Sequence, residues 1–129
     1  MNTNTVTAYF NAPRDKVFAY VADIENLPRW ATGYCKELRK EGNDHKVVTP
    51  LGELYFRIDA DPRTGVVDMV SGPEKETMAT YPVRVAAMPD GGSLLLFTAM
   101  QLPGMSGEDL AAQCRGLEAE FDIIRQAVE

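Results

Sequence analysis

Histidine occurs once, at His45, and cysteine twice, at Cys35 and Cys114. Neither supplies a second His or a Cys pair at ligand spacing, so no zinc or iron site is expected. Two cysteines with no other sign of secretion read as free thiols in a reducing compartment. Positive charge is also short: 13 Lys and Arg stand against 19 Asp and Glu, a net charge of −6. Neutralising phosphates needs the opposite balance, so no nucleic-acid partner is expected. Arg29, Lys36, Arg39 and Lys40 are interleaved with Glu37 and Glu41, as on a solvated face. No apolar run approaches the roughly 20 residues that span a bilayer. The opening Met1–Thr5 has neither the basic start nor the apolar core of a signal segment, and the expected location is the cytoplasm. P-loop, dinucleotide-binding glycine and Ser/His/Asp patterns are all missing, and no cofactor is expected.

What is present is an ordinary globular balance. Over 129 residues, 45% are apolar and 25% charged, which suits one domain able to bury a core without disulfide or metal staples. Val6, Ala8 and Phe10 alternate with polar or amphipathic residues over Thr5–Asn11 and predict a half-buried strand. Pro13 and Asp15 suit the first turn of a helix, with Val17, Phe18 and Val21 as its apolar stripe through about Ala22. Asn26 is placed to cap a second, very short helix containing Pro28 and Trp30, and Gly33 stops it.

From Tyr34 to Gln101, turn signals recur at Gly42-Asn43-Asp44, Pro50-Leu51-Gly52, Asp61-Pro62-Arg63-Thr64-Gly65, Gly72-Pro73-Glu74 and Pro89-Asp90-Gly91-Gly92. Six strands fit between and beside them. In Glu53–Ala60, Leu54, Phe56 and Ile58 alternate with Glu53, Tyr55, Arg57 and Asp59, so the sheet should be covered on one face only. Pro82 should interrupt the ladder within Thr77–Met88 as a bulge or strand edge. The last element is the clearest. Leu110, Cys114, Leu117, Phe121, Ile124 and Val128 recur at intervals of four and three, behind Ser106 as N-cap with Glu108 and Asp109 in the first turn. This helix, about 34 Å long, is the only element able to cover the sheet. The predicted class is α+β: a curved antiparallel sheet of six or seven strands wrapped around a long C-terminal helix, with two short helices after the first strand.

The blocks Asn11-Ala12-Pro13-Arg14-Asp15-Lys16-Val17-Phe18 and Asp23-Ile24-Glu25-Asn26-Leu27-Pro28-Arg29-Trp30 resemble the N-terminal signature of the START-like, or SRPBCC, superfamily. Within it they are most similar to the polyketide cyclase/dehydrase and lipid transport group. The resemblance covers essentially the whole chain. It implies the Bet v 1-like helix-grip fold and a cavity between the sheet and the C-terminal helix, and it implies no particular reaction. On that reading, Trp30 borders the cavity mouth, or else plugs the core. Phe56, Ile58, Met69, Tyr81 and Phe97 line the cavity from the sheet. Cys114, Leu117 and Phe121 line it from the helix, where simple core packing is the alternative.

Met69, Met78, Met88 and Met100 fall on predicted strands and suit either an adaptable pocket or core filling. Tyr55, Tyr81, Arg57 and Arg84 are the polar candidates of the sheet. By alternation Tyr81 and Arg84 face opposite ways, which weakens any pairing between them. Cys114 reads as an inert buried thiol, and His45 as exposed. Gly116 permits either a close approach or a bend, or is merely tolerated. The expected function is binding of an apolar or amphipathic small molecule such as a lipid, quinone or polyketide-like compound. The alternatives are a cyclase/dehydratase-like enzyme and an interaction module with a filled cavity. A homodimer is left open.

Overall fold

A computed structural model describes residues 1–129. The first strand, β1 (Thr3–Phe10), leads to helix α1 (Arg14–Ala22), a single 3-10 turn at Ile24–Asn26 and the short α2 (Leu27–Trp30). Strands β2 (Glu37–Glu41), β3 (Asp44–Thr49), β4 (Gly52–Asp61) and β5 (Val66–Gly72) follow, then a 3-10 turn at Lys75–Thr77. Strands β6 (Ala79–Tyr81), β7 (Val83–Ala87) and β8 (Ser93–Met100) complete the sheet, and α3 (Gly107–Val128) closes the chain. All neighbours pair antiparallel, in the order β1-β8-β7-β5-β4-β3-β2, with β6 on the edge of β5. The chain is an α+β helix-grip, the class that its periodicity predicts and the fold that its resemblance implies.

The meander holds seven strands rather than six because Pro82 splits the predicted Thr77–Met88 strand. Pro82 has no N–H for a ladder. β6 therefore stays with β5, registering Tyr81 against Met69, while β7 moves over to β8. The Val83 N–H, left free by the break, donates to the Asp68 carboxylate at 3.0 Å. Met78 and Met88 fall just outside the strands, so of the four methionines only Met69 and Met100 lie within the ladder.

Capping explains the ends of the helices. The Ser106 hydroxyl accepts from the Asp109 N–H, and the Asp109 carboxylate accepts from the Ser106 N–H, closing a reciprocal box at the start of α3. Asn26 does not cap α2 through its side chain. Its amide instead donates to the Tyr20 carbonyl, and it is the Asp23 carboxylate that caps the preceding turn through the Glu25 N–H.

Side chains two apart share a face. The registers therefore put Val6, Phe97 and Val83 together, then Ala8, Leu95 and Val85, and then Ile58, Met69 and Tyr81, all on the concave face. Helix α3 lays Leu110, Cys114, Leu117, Phe121, Ile124 and Val128 inward, all buried. It packs on β1 and β8 and against α1 and α2. The helix thus seals one side of the concave face, and the side formed by β4, β5 and β6 receives less cover.

Candidate functional site

The less-covered side is built first from apolar residues. Phe56 and Met69 are buried, but Leu54, Ile58 and Tyr81 on the same face stay half-buried. Tyr81 lies 6.2 Å, centroid to centroid, from Phe97, and Phe97 lies 6.3 Å from Phe121 on α3. These rings join sheet to helix at tilted angles, a favourable geometry for aromatic pairs. Phe97 of the predicted lining therefore links Tyr81 to Phe121, and Ile58 and Met69 stand in register with Tyr81. Cys114 and Leu117 share the buried helix face, and the Cys114 sulfur accepts from the Asn4 amide at 3.3 Å.

The polar groups of this region come from the loop after α2, from β5 and from α3. Tyr34, in the loop between α2 and β2, turns its ring toward Phe56 at 6.1 Å. Its hydroxyl meets the Ser71 hydroxyl at 2.8 Å, and Ser71 donates onward to the Tyr55 carbonyl at 3.0 Å. Burial pushes the Tyr34 phenol up to about 12, and the Ser71 contact only partly opposes this. Burial raises the Tyr81 phenol too.

Glu120 is the acidic member. It is only 6% exposed, on the inward face of α3. Its Oε2 accepts from the Gly33 N–H at 3.0 Å, in the same loop as Tyr34. Burial raises its pKa to about 7; the backbone N–H groups of Gly33 and Tyr34 and the charge of Lys36 pull the other way without prevailing. A carboxyl out of water favours its neutral form unless a cation compensates. Glu120 stands three residues after Leu117 and four before Ile124, so the helical repeat that marks the stripe already places it on the buried side. Tyr34 has no such signal, because its position depends on how a loop folds back.

Trp30 is buried at 2% exposure, and its indole N–H has no acceptor. The sheet candidates Arg57 and Tyr55 face outward: Arg57 pairs with Asp59 at 3.1 Å, and Lys46 lies over the Tyr55 ring at 4.7 Å. Arg84 is exposed while Tyr81 points inward, so the two do not meet. His45 is not exposed but half-buried, because its register with Phe56 turns it to the concave side. It borders a hollow of about 200 Å³ that also touches Phe56, Met78 and Lys75. A second hollow, about 380 Å³, lies against Met1, Asn2 and Gln101–Met105 and touches none of the predicted lining. Neither hollow is walled by α3. A methyl group at Gly116 would meet nothing within 4 Å, so no close approach requires that glycine. Both cysteines are free and buried. No group of three or more His, Cys, Asp or Glu is placed to hold a metal ion. No helix is long and apolar enough to cross a membrane.

Comparison with solved structures places this architecture. The Aha1 dimer from Colwellia psychrerythraea superposes with a TM-score of 0.74 at 13% identity, over 100% of this chain and 97% of that one. XoxI from Bacillus cereus gives 0.75 at 13% identity, over 99% and 96%. Ara h 8.0201 gives 0.67 at 19% identity, over 98% and 97%. These structures share the helix-grip fold with this chain. At such identities the helix-grip architecture is shared and nothing finer is carried across. No family model matches the sequence, and no curated protein does either.

Proposed function

We propose that this chain binds an apolar or amphipathic small molecule against the concave face of β4, β5 and β6, on the side facing α3. The supporting observation is the row Leu54, Ile58 and Tyr81, left half-buried beside the buried Phe56 and Met69. Apolar surface exposed inside a concave wall gains from any apolar occupant. In this reading Phe56, Ile58, Met69, Tyr81 and Phe97 form the wall, Leu117 and Phe121 the opposing face, and Cys114 and Trp30 the packing behind it.

Binding is favoured over catalysis by where the polar hydrogen bonds go. The Tyr34 and Ser71 hydroxyls bond to each other, and Ser71 donates to the Tyr55 carbonyl. Glu120 bonds to loop backbone. Acid–base chemistry needs groups free to exchange protons with a ligand. The Colwellia neighbour is a dimer, and self-association of this chain belongs to the same proposal.

Titration with Nile red, a neutral apolar dye, tests the reading. Wild type should enhance its emission saturably. Ile58→Trp should weaken uptake while keeping a near-native Tm, because added atoms enter open space. No uptake by wild type, with a Tm drop in Ile58→Trp from overpacking of about 1–3 kcal/mol, would favour a filled interaction module instead.

A further inference from the structure

The two ends of the sheet are built differently. β2 stands at one end, and four of its five residues are charged: Glu37, Arg39, Lys40 and Glu41. β1 stands at the other, and none of its eight residues is charged. The first charged side chain in the sequence is Arg14. Charge, proline and bulges keep edge strands from pairing with other chains. β1 has no proline and holds an unbroken register with β8 over Thr3–Phe10. Its Thr3, Thr5 and Thr7 are exposed.

The ladder fixes which backbone groups lie along the free edge. In an antiparallel pair, alternate residues aim both N–H and C=O at the partner strand. The Asn2 carbonyl accepts from the Gln101 N–H at 2.9 Å, and the Thr98 N–H turns the other way, to the Pro82 carbonyl at 3.0 Å. Asn4, Val6, Ala8 and Phe10 therefore bond to β8, while Thr3, Thr5, Thr7 and Tyr9 aim away from it. At one end this edge is occupied. The Tyr9 carbonyl accepts from Arg125 at 3.1 Å, and the Asn11 N–H donates to Glu129 at 2.9 Å. The open stretch is residues 3–7, centred on Thr5.

We propose that this edge pairs with the same edge of a second copy, antiparallel about a two-fold axis at Thr5. Thr5 then faces the partner's Thr5, and Thr3 faces the partner's Thr7, each pair exchanging both backbone bonds. This rests on the self-association included in the reading above and supplies its surface. Three features name a second copy as the occupant. The stretch is uncharged, so a chain of net charge −6 meets itself here with no like charges opposed. Threonine across from threonine is a favourable cross-strand pair. The pairing is also closed: the joined sheet ends in β2 on both sides, where charge blocks further addition. Pairing β1 with β2 of another copy would leave one β1 edge free each time and grow without limit.

Sedimentation velocity on wild type, over about a hundredfold range of concentration, should show monomer giving way to dimer and to nothing larger. Thr5→Lys keeps the β8 ladder and sets two ammonium groups face to face, so it should weaken association several-fold with Tm near wild type. Cysteine variants read the register. Under mild oxidation Thr5→Cys should form a disulfide-linked dimer, because Cα atoms paired on the axis lie about 5.5 Å apart, within disulfide reach. Thr7→Cys should not, because its two copies lie on the order of 13 Å apart along the strands. Cys35 and Cys114 are buried, so wild type should stay unlinked. Wild type that stays monomeric throughout removes self-association and this interface with it. A dimer that forms as readily in Thr5→Lys, or that fails to link through Thr5→Cys, keeps self-association and overturns this interface alone. Species larger than a dimer would point to β1 pairing with β2 and overturn the two-fold closure.

Discussion

Glu120 on the last helix accepts a hydrogen bond from the backbone N–H of Gly33, 87 positions earlier, at 3.0 Å. The contact ties α3 to the loop that carries Tyr34, and it does so with a group that changes charge near neutral pH.

Stability should therefore fall as pH rises through the window from about 4.5 to about 7. The folded chain keeps a proton on Glu120 in that window while the unfolded chain has lost it, so raising the pH favours unfolding. The contribution is fully present below the unfolded value and is lost above the folded one, amounting to about 3 kcal/mol. Urea melts from about pH 4.5 to 8 should show this decline in wild type, and Glu120→Gln should flatten it by about that amount.

Two glycines should respond in opposite ways to alanine. Gly65 has φ +83°, and a Cβ there would lie 2.2 Å from the Val85 carbonyl oxygen. Gly65→Ala must strain the backbone and displace β7, at a cost of at least about 2 kcal/mol. Gly116 lies inside α3 with open space beside it. Gly116→Ala should stabilise by up to about 1 kcal/mol. Thermal melts of the two variants should move in opposite directions.

Phe121 is 1% exposed and touches Phe97 across the sheet–helix junction. Phe121→Ala should cost about 3–5 kcal/mol, since the cavity left behind is only partly refilled. A midpoint in urea close to wild type would show that α3 is not seated on the sheet through this residue.

Tyr34→Phe removes a single hydroxyl. Ser71 keeps its own donation to the Tyr55 carbonyl, so no buried donor is left without a partner. The expected cost is about 1 kcal/mol. Absorbance titration should show the variant lacking the tyrosine that ionises only at about 12 in wild type.

Much of this fold was legible because it repeats locally. The α3 stripe follows from a helical period, and its start from Ser106 with Asp109. The strand boundaries follow from turn residues, and the break at Pro82 from a missing N–H. Even Glu120 was readable, lying between Leu117 and Ile124 on the same helical face. What failed was local in appearance and non-local in cause. His45 follows a turn and looks exposed, yet pairing with Phe56 turns it inward. Asn26 looks like a cap, yet bonds to Tyr20 instead.

The sequence by itself determined the kind of most elements and the inward faces of β1, β4 and α3, because hydrophobic period and turn chemistry act over a few residues. The tertiary structure alone decided that Tyr34 reaches Ser71, that Glu120 meets Gly33 without a cation, and that Leu54, Ile58 and Tyr81 stay partly uncovered. Those outcomes depend on how far α3 reaches across the curved sheet and on how one loop folds back beneath it. Both are set by contacts between segments far apart in the chain, which leave no periodic trace in either one.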